Sequence, residues 1–316
     1  MTYQVLFVET FLTQQARRYL EEHDCVVTTR PISDPSSEES VVQAVKGYDA
    51  VIAGGEVYSE KVIESLEGLK IIARKGVGYD NVDIGAAVRA GILVTNTPGA
   101  TSRAVAEMTI ALMFSLLRRL PQFDAEMKNG VFRQEPTVSE LQACTVGIVG
   151  MGHIGSEVIR LLAPFEPSFM AYDISWNTQF ADAYDVRYRD LNELAVAADF
   201  VSIHVPLNRH TQNLIGADLF RRMKPTAYLI NTSRGPVVDK DALYTALVEK
   251  KIAGAGIDVH WEKPIRDDDP LVALESVIAT PQIAYNTAEC QARMMMTAAE
   301  EVVAALNGRG VRYAIS

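Results

Sequence analysis

Val146-Gly147-Ile148-Val149-Gly150-Met151-Gly152-His153-Ile154-Gly155 is the stretch on which the reading of the fold turns. Its apolar start predicts a buried strand, and Ile154, Val158, Ile159 and Leu162 recur on one side of the helix that should follow. Between strand and helix stands the spacing G-x-G-x-x-G. Gly150 permits the tight turn, Gly152 lets a backbone approach a pyrophosphate, and Gly155 lets helix and strand pack closely. The helix N-terminus, which starts with His153 and Ile154, then offers unpaired N–H groups to phosphate.

A glycine loop alone also serves as a mere turn, so the next strand matters. It ends at Asp173, 18 residues after Gly155. An acid there accepts from ribose hydroxyls and repels a 2′-phosphate. No Lys or Arg lies between Arg160 and Arg187 to bind such a phosphate, which favours NAD over NADP.

Outward from this unit, short apolar runs alternate with amphipathic stretches. Toward the N-terminus the strands read Val5 to Val8, Val26 to Thr29, Ala50 to Ala53, Lys70 to Ala73 and Ile92 to Thr95, with helical periodicity between them. Asn96 to Gly99 break the pattern, and a helix is expected from Ser102 through Arg119, stopping before Pro121. Toward the C-terminus the strands read Phe169 to Tyr172, Phe200 to Val205, Tyr228 to Asn231, Gly256 to Val259 and Val277 to Thr280, before a last helix from Thr287 to Leu306. The expectation is an α/β protein of two doubly wound parallel sheets with a cleft between them, the last helix returning to the first sheet. The domains expected are 1–98 plus 286–316, and 99–285.

Composition agrees: 316 residues suggest about two domains. A net charge of −10 with 48% hydrophobic and 22% charged residues describes an ordered, acidic chain. Such a chain repels nucleic acid and anionic lipid, and no basic patch offsets this, so a small-molecule partner is expected. The longest apolar run, Met108 to Leu117, is too short to span a bilayer, and Met1 to Leu12 lacks the marks of a signal peptide. Cys25, Cys144 and Cys290 are widely spaced and without nearby ligand partners, which argues against disulfides and a metal site and for a reducing cytoplasm.

Over nearly its whole length the chain resembles the D-2-hydroxyacid dehydrogenases. The resemblance rests on Arg74 to Asp83 (RKGVGYDNVD), Asn96 to Gly99 with Val105-Ala106-Glu107, the glycine loop, His204 to Leu207 (HVPL), Asn231 to Gly235 (NTSRG) and Ala255 to Val259 (AGIDV). It implies a flavodoxin-like substrate domain built from both chain ends, a Rossmann NAD domain, and a homodimer through the NAD domains. Arg234 would hold the substrate carboxylate and carbonyl, a task that suits its planar, permanently charged fork. Val77 and Gly78 would add backbone N–H groups. Asp258 would accept from the nicotinamide carboxamide. His204, Val205, Pro206, Thr211, Thr232 and Ser233 would line the cofactor; for His204 a packed core histidine is the competing reading. Arg74, Lys75, Tyr79 and Tyr285 are candidates for binding a second anionic or aromatic group.

The family's Glu and His proton-transfer pair is missing. Where the family usually reads D-V-F-x-x-E-P, this chain reads Asp258-Val259-His260-Trp261-Glu262-Lys263-Pro264, and the family's T-P-H is Thr280-Pro281-Gln282. An amide orients a carbonyl but is no general acid. Three explanations stay open. Lys263 carries the proton, its pKa lowered by desolvation and by Arg234; His260 or a slipped Glu262 carries it; or turnover is lost and the protein is an NAD-binding sensor or scaffold. The first is preferred, with Gln282 at both substrate and cofactor.

Overall fold

A computed structural model gives the fold and describes every residue except Met1, Arg133, Glu135, Pro136, Thr137, Lys263 and Ser316. The chain divides into two compact units, Met1–Thr101 with Asn286–Ser316, and Ser102–Tyr285.

Among the described residues, the first unit holds strands β1 (Tyr3–Phe7), β2 (Cys25–Thr29), β3 (Ala50–Ala53), β4 (Ile71–Arg74) and β5 (Leu93–Thr95) in the order β2-β1-β3-β4-β5. Every pairing is parallel. β3 and β4 are buried along their whole length, the expected state of strands covered on both faces. The helices Gln14–Glu21, Glu38–Val45, Glu60–Glu64 and Ile84–Ala90 begin at Thr13, Ser37, Ser59 and Asp83, whose side chains each accept an otherwise orphaned backbone N–H. The helix Ala288–Leu306 packs Met295, Ala298 and Val302 on Val5, Phe7, Ile52 and Ile71, so the chain end does return to the first sheet.

The second unit holds β6 (Thr145–Val149), β7 (Ser168–Tyr172), β8 (Val186–Tyr188), β9 (Phe200–Ile203), β10 (Tyr228–Asn231), β11 (Gly254–Ile257) and β12 (Val277–Ala279). Their order is β12-β11-β10-β9-β6-β7-β8, again all parallel. β8 buries only Val186 of its three residues and so carries no period readable in the sequence. The helix Ser102–Leu117 covers β11, where a Cβ on Gly256 would lie 3.0 Å from that of Leu112. The expected extent of this helix needs correction. It ends at Leu117, Arg119 turns left-handed at φ 52°, and a second helix, Leu120–Lys128, opens with Pro121 in its first turn. A proline stops a helix only from inside; in the first turn its missing N–H has no partner to lose.

Each sheet has one place where the chain reverses its direction of growth. In the first unit it lies between β1 and β3, in the second between β6 and β9. Crevices at the carboxyl ends of such strand pairs are the ligand sites of open parallel sheets.

Candidate functional site

The glycine loop stands at the β6/β9 reversal. Gly150 adopts φ +97°, and a Cβ there would lie 2.8 Å from Val205 and 2.9 Å from the His204 carbonyl. Gly155 packs closer still, since a Cβ would meet the Gly150 carbonyl oxygen at 2.1 Å. Gly152 differs, with nothing within 4 Å of its missing Cβ. It caps the helix His153–Leu162 without a side-chain bond, so the first amides of that helix are left without a capping side chain. In dinucleotide-binding loops such a helix N-terminus is the place that a pyrophosphate takes.

Asp173, just past β7, closes the loop's far side. Its Oδ2 accepts from the Met151 N–H at 2.6 Å and its Oδ1 from the Ser175 N–H at 2.8 Å. A carboxylate has about four lone-pair positions, so acceptor capacity remains for ribose hydroxyls.

The HVPL segment follows β9. His204 retains some exposed surface, yet its ring nitrogens are shut in: Nε2 pairs with the Ser202 hydroxyl at 2.9 Å, and Nδ1 is buried without a partner among the described residues. Burial pushes its pKa from 6.5 down to about 3, so the ring is neutral. The Thr211 hydroxyl donates to the Pro206 carbonyl at 2.6 Å and accepts from the Asn208 N–H at 2.8 Å, shaping the turn beside it.

After β10, Asn231 organises the NTSRG run. Its amide donates to the Arg234 carbonyl at 2.9 Å, and its oxygen accepts from the Ser233 N–H and hydroxyl at 3.0 and 2.9 Å. The Thr232 hydroxyl meets that of Thr109 at 3.0 Å. The half-buried Arg234 donates from Nη1 to the Ser233 carbonyl at 2.8 Å. Asn231 and Ser202 were not singled out from sequence as site-forming residues, because each acts only through a neighbour.

Asp258 is buried and anchors the segment carrying Gln282. It accepts from the Thr280 hydroxyl at 2.6 Å and from the Ile283 and Ala284 N–H groups, each at 2.9 Å. Gln282 is thereby held at φ +57°, a conformation costly for a residue with a Cβ. His260 donates from Nε2 to the Thr280 carbonyl at 2.8 Å, and Trp261 donates to the Val238 carbonyl at 2.8 Å. His260 thus has a structural bond, and Glu262 is exposed. Lys263 lies outside the described residues.

In the first unit, the Val77 carbonyl accepts from Asn96 at 2.7 Å and the Gly78 carbonyl from Arg74 at 3.0 Å. Asn96 thus fixes the plane of the Val77–Gly78 peptide. Lys75 departs from its expected part as an anion binder. Its ammonium is buried against Glu9 at 2.6 Å and Gln291 at 2.8 Å, and such a pairing leaves little charge to offer. Glu9 and Gln291 were missed because they meet Lys75 only through the fold.

Residues 110–284 match the NAD binding domain of the D-isomer specific 2-hydroxyacid dehydrogenases. The chain is 37% identical to a glyoxylate reductase of Korarchaeum cryptofilum, over 96% of this chain and 93% of that protein. It is 34% identical to a D-3-phosphoglycerate dehydrogenase of Archaeoglobus fulgidus, over 96% of this chain but only 58% of that longer protein. A crystal structure of D-lactate dehydrogenase from Aquifex aeolicus, complexed with NAD and lactic acid, superposes with a TM-score of 0.84 at 28% identity, over 96% of each chain. The chain belongs to the D-isomer specific 2-hydroxyacid dehydrogenase family, whose members are NAD-dependent dehydrogenases and reductases, and NAD is the cofactor of its Rossmann unit. No described helix is long and apolar enough to cross a membrane.

Proposed function

We propose that the protein interconverts a small 2-hydroxy acid and its 2-oxo acid at the expense of NAD, with residues 99–285 serving as the NAD domain and 1–98 plus 286–316 as the substrate domain. NAD, when bound, supplies the hydride acceptor or donor. The glycine loop, Asp173, the His204–Pro206 turn, Thr232, Ser233 and Asp258 would hold it. Support comes above all from Gly152, whose open surroundings at a helix N-terminus are shaped for a pyrophosphate while its neighbouring glycines are packed shut.

Arg234 holds the substrate carboxylate and carbonyl, a task that suits its planar, permanently charged fork. Gln282, fixed in position by Asp258, orients the substrate oxygen. The proton is assigned to Lys263: as the alcohol is oxidised, the hydroxyl proton passes to the amine, and on reduction it returns. Three features support this assignment. The family's imidazole position is an amide, His260 is committed to the Thr280 carbonyl, and the neutral His204 has no proton to give at working pH.

A screen of 2-oxo acids with NADH, using wild type, Lys263→Ala and Gln282→His, tests the assignment. Slow wild-type turnover that Lys263→Ala lowers about a hundredfold or more supports it. Full activity in that variant ends it. NADH binding without turnover of any acid instead indicates a sensor or scaffold. The chain is further read as a cytoplasmic homodimer formed through the NAD domain. Leu120, Met127, Val131 and Phe132, all exposed on or just after the helix Leu120–Lys128, support the dimer. Light scattering that gives the mass of a monomer overturns this part.

A further inference from the structure

Gln282 stands just past β12 and Arg234 just past β10, on the same carboxyl edge of the second sheet and two strands apart. The Gln282 backbone is fixed from both sides. Its N–H donates to the Thr280 carbonyl at 2.9 Å, and the two N–H groups that follow donate to Asp258.

The charge along this segment is negative. Asp258 is buried, and among the described residues its partners, the Thr280 hydroxyl and the Ile283 and Ala284 N–H groups, are all neutral. A buried carboxylate held only by dipoles keeps its net charge, so the segment carrying Gln282 lies against an anion. The imidazoles of these loops are meanwhile occupied. His260 donates from Nε2 to the Thr280 carbonyl at 2.8 Å, and the neutral His204 pairs with the Ser202 hydroxyl at 2.9 Å. Gln282 itself accepts at oxygen and donates at nitrogen without releasing a proton. Such surroundings oppose the growth of negative charge on a carbonyl oxygen and favour a centre that arrives positive. A protonated imine is such a centre, and its nitrogen already carries the proton that an oxo acid must be given.

We propose that the site also reduces protonated 2-imino acids to 2-amino acids, with the Gln282 side-chain oxygen accepting the iminium N–H and Arg234 holding the carboxylate. The imine carbon takes the hydride of NADH, and the C=N π pair becomes the nitrogen lone pair. Iminium and NADH thus give a neutral amine and NAD+, with charge balanced and no proton moved by the protein; the amine then takes a proton from water. The inference rests on the reading of Arg234 as carboxylate holder and NADH as hydride source. It adds a substrate class whose turnover asks nothing of Lys263, and which a protonated histidine at position 282 would repel.

Δ1-piperideine-2-carboxylate, a cyclic imino acid that needs no prior condensation, and 2-oxohexanoate test this with NADH. The imino acid should have the higher kcat/KM, by about tenfold or more. Its rate should fall as the pH rises through the pKa of the free imine, because only the protonated form reacts. The ratio of imino to oxo acid should rise in Lys263→Ala and fall below one in Gln282→His, whereas a general folding defect would lower both activities alike. Binding is read independently of turnover with pyrrole-2-carboxylate and 2-furoate, planar acids of equal size that present an N–H or an ether oxygen. Calorimetric titration into the NADH-loaded protein should favour the pyrrole by about tenfold, and Gln282→Met, of similar length but without the amide, should bring the two affinities together. Failure to reduce the imino acid, a ratio unmoved by Gln282→His, or equal binding of the two planar acids to wild type overturns the proposal. Reduction of the imino acid alone sustains it and fails instead the 2-oxo acid reading.

Discussion

Oδ2 of Asp173 accepts the Met151 N–H at 2.6 Å, tying the middle of the glycine loop to the end of the neighbouring strand. One carboxylate thus shapes the glycine loop, and in the proposed function it also binds the ribose. Asp173→Ala should weaken NAD binding about tenfold and narrow the preference over NADP, because the repulsion of a 2′-phosphate disappears with the charge. Fluorescence titration with NADH and NADPH measures both. An unchanged preference would show that Asp173 only shapes the loop.

Two glycines of the same loop should respond in opposite ways to alanine. At Gly155 the new methyl would sit 2.1 Å from the Gly150 carbonyl oxygen, so the helix must move. A loss of about 3 kcal/mol or more in urea denaturation is expected. At Gly152 the methyl meets nothing, so stability should change by less than about 0.5 kcal/mol while NADH affinity falls at least about tenfold. Intact NADH affinity in Gly152→Ala would locate the pyrophosphate elsewhere.

His204 gives a pH dependence whose sign is fixed. Its imidazole titrates at 6.5 when free and at about 3 in the fold, so between those values the unfolded chain binds a proton that the folded chain refuses. The stability it contributes is complete above pH 6.5 and declines as the pH drops toward 3. Between pH 7.5 and 5 the wild type should lose about 2 kcal/mol more than His204→Gln, judged by urea midpoints. Parallel losses in both proteins would mean that the ring takes up its proton without unfolding.

Asp258 should be the costliest polar residue to remove from the second unit. It satisfies the Thr280 hydroxyl and two backbone N–H groups, and truncation would orphan buried donors. We expect Asp258→Ala to cost about 3 kcal/mol or more, and Thr280→Val, which deletes one of the three bonds, about 1.5 kcal/mol. Released from Asp258, Gln282 should leave its left-handed conformation, visible as accelerated amide exchange at Ile283 and Ala284. Protection equal to wild type would refute the anchoring role.

Local chemistry made much of this legible beforehand. The two parallel sheets, the glycine loop and Asp173 are written in short runs, because strand burial and phosphate turns impose residue types on near neighbours. β8 escaped, since Val186–Tyr188 is too short to show a period, and Pro121 misled, since a proline stops or starts a helix according to its place in the turn. The missing imidazole at Gln282 was likewise visible in sequence, as was Lys263 in the place of the usual glutamate.

By itself the sequence determined which elements form and which cofactor class the Rossmann unit takes, because periodicity, capping and glycine geometry operate over a few residues. Only the tertiary structure decided which charges are accessible. Lys75, Glu9 and Gln291 stand 66 and 216 residues apart along the chain, and Asp258 reaches its donors 22 to 26 residues away. Burial and pairing are properties of the packed sheet ends, so a lysine that looks like an anion site in the sequence becomes, once folded, the hidden counterion of an exposed carboxylate.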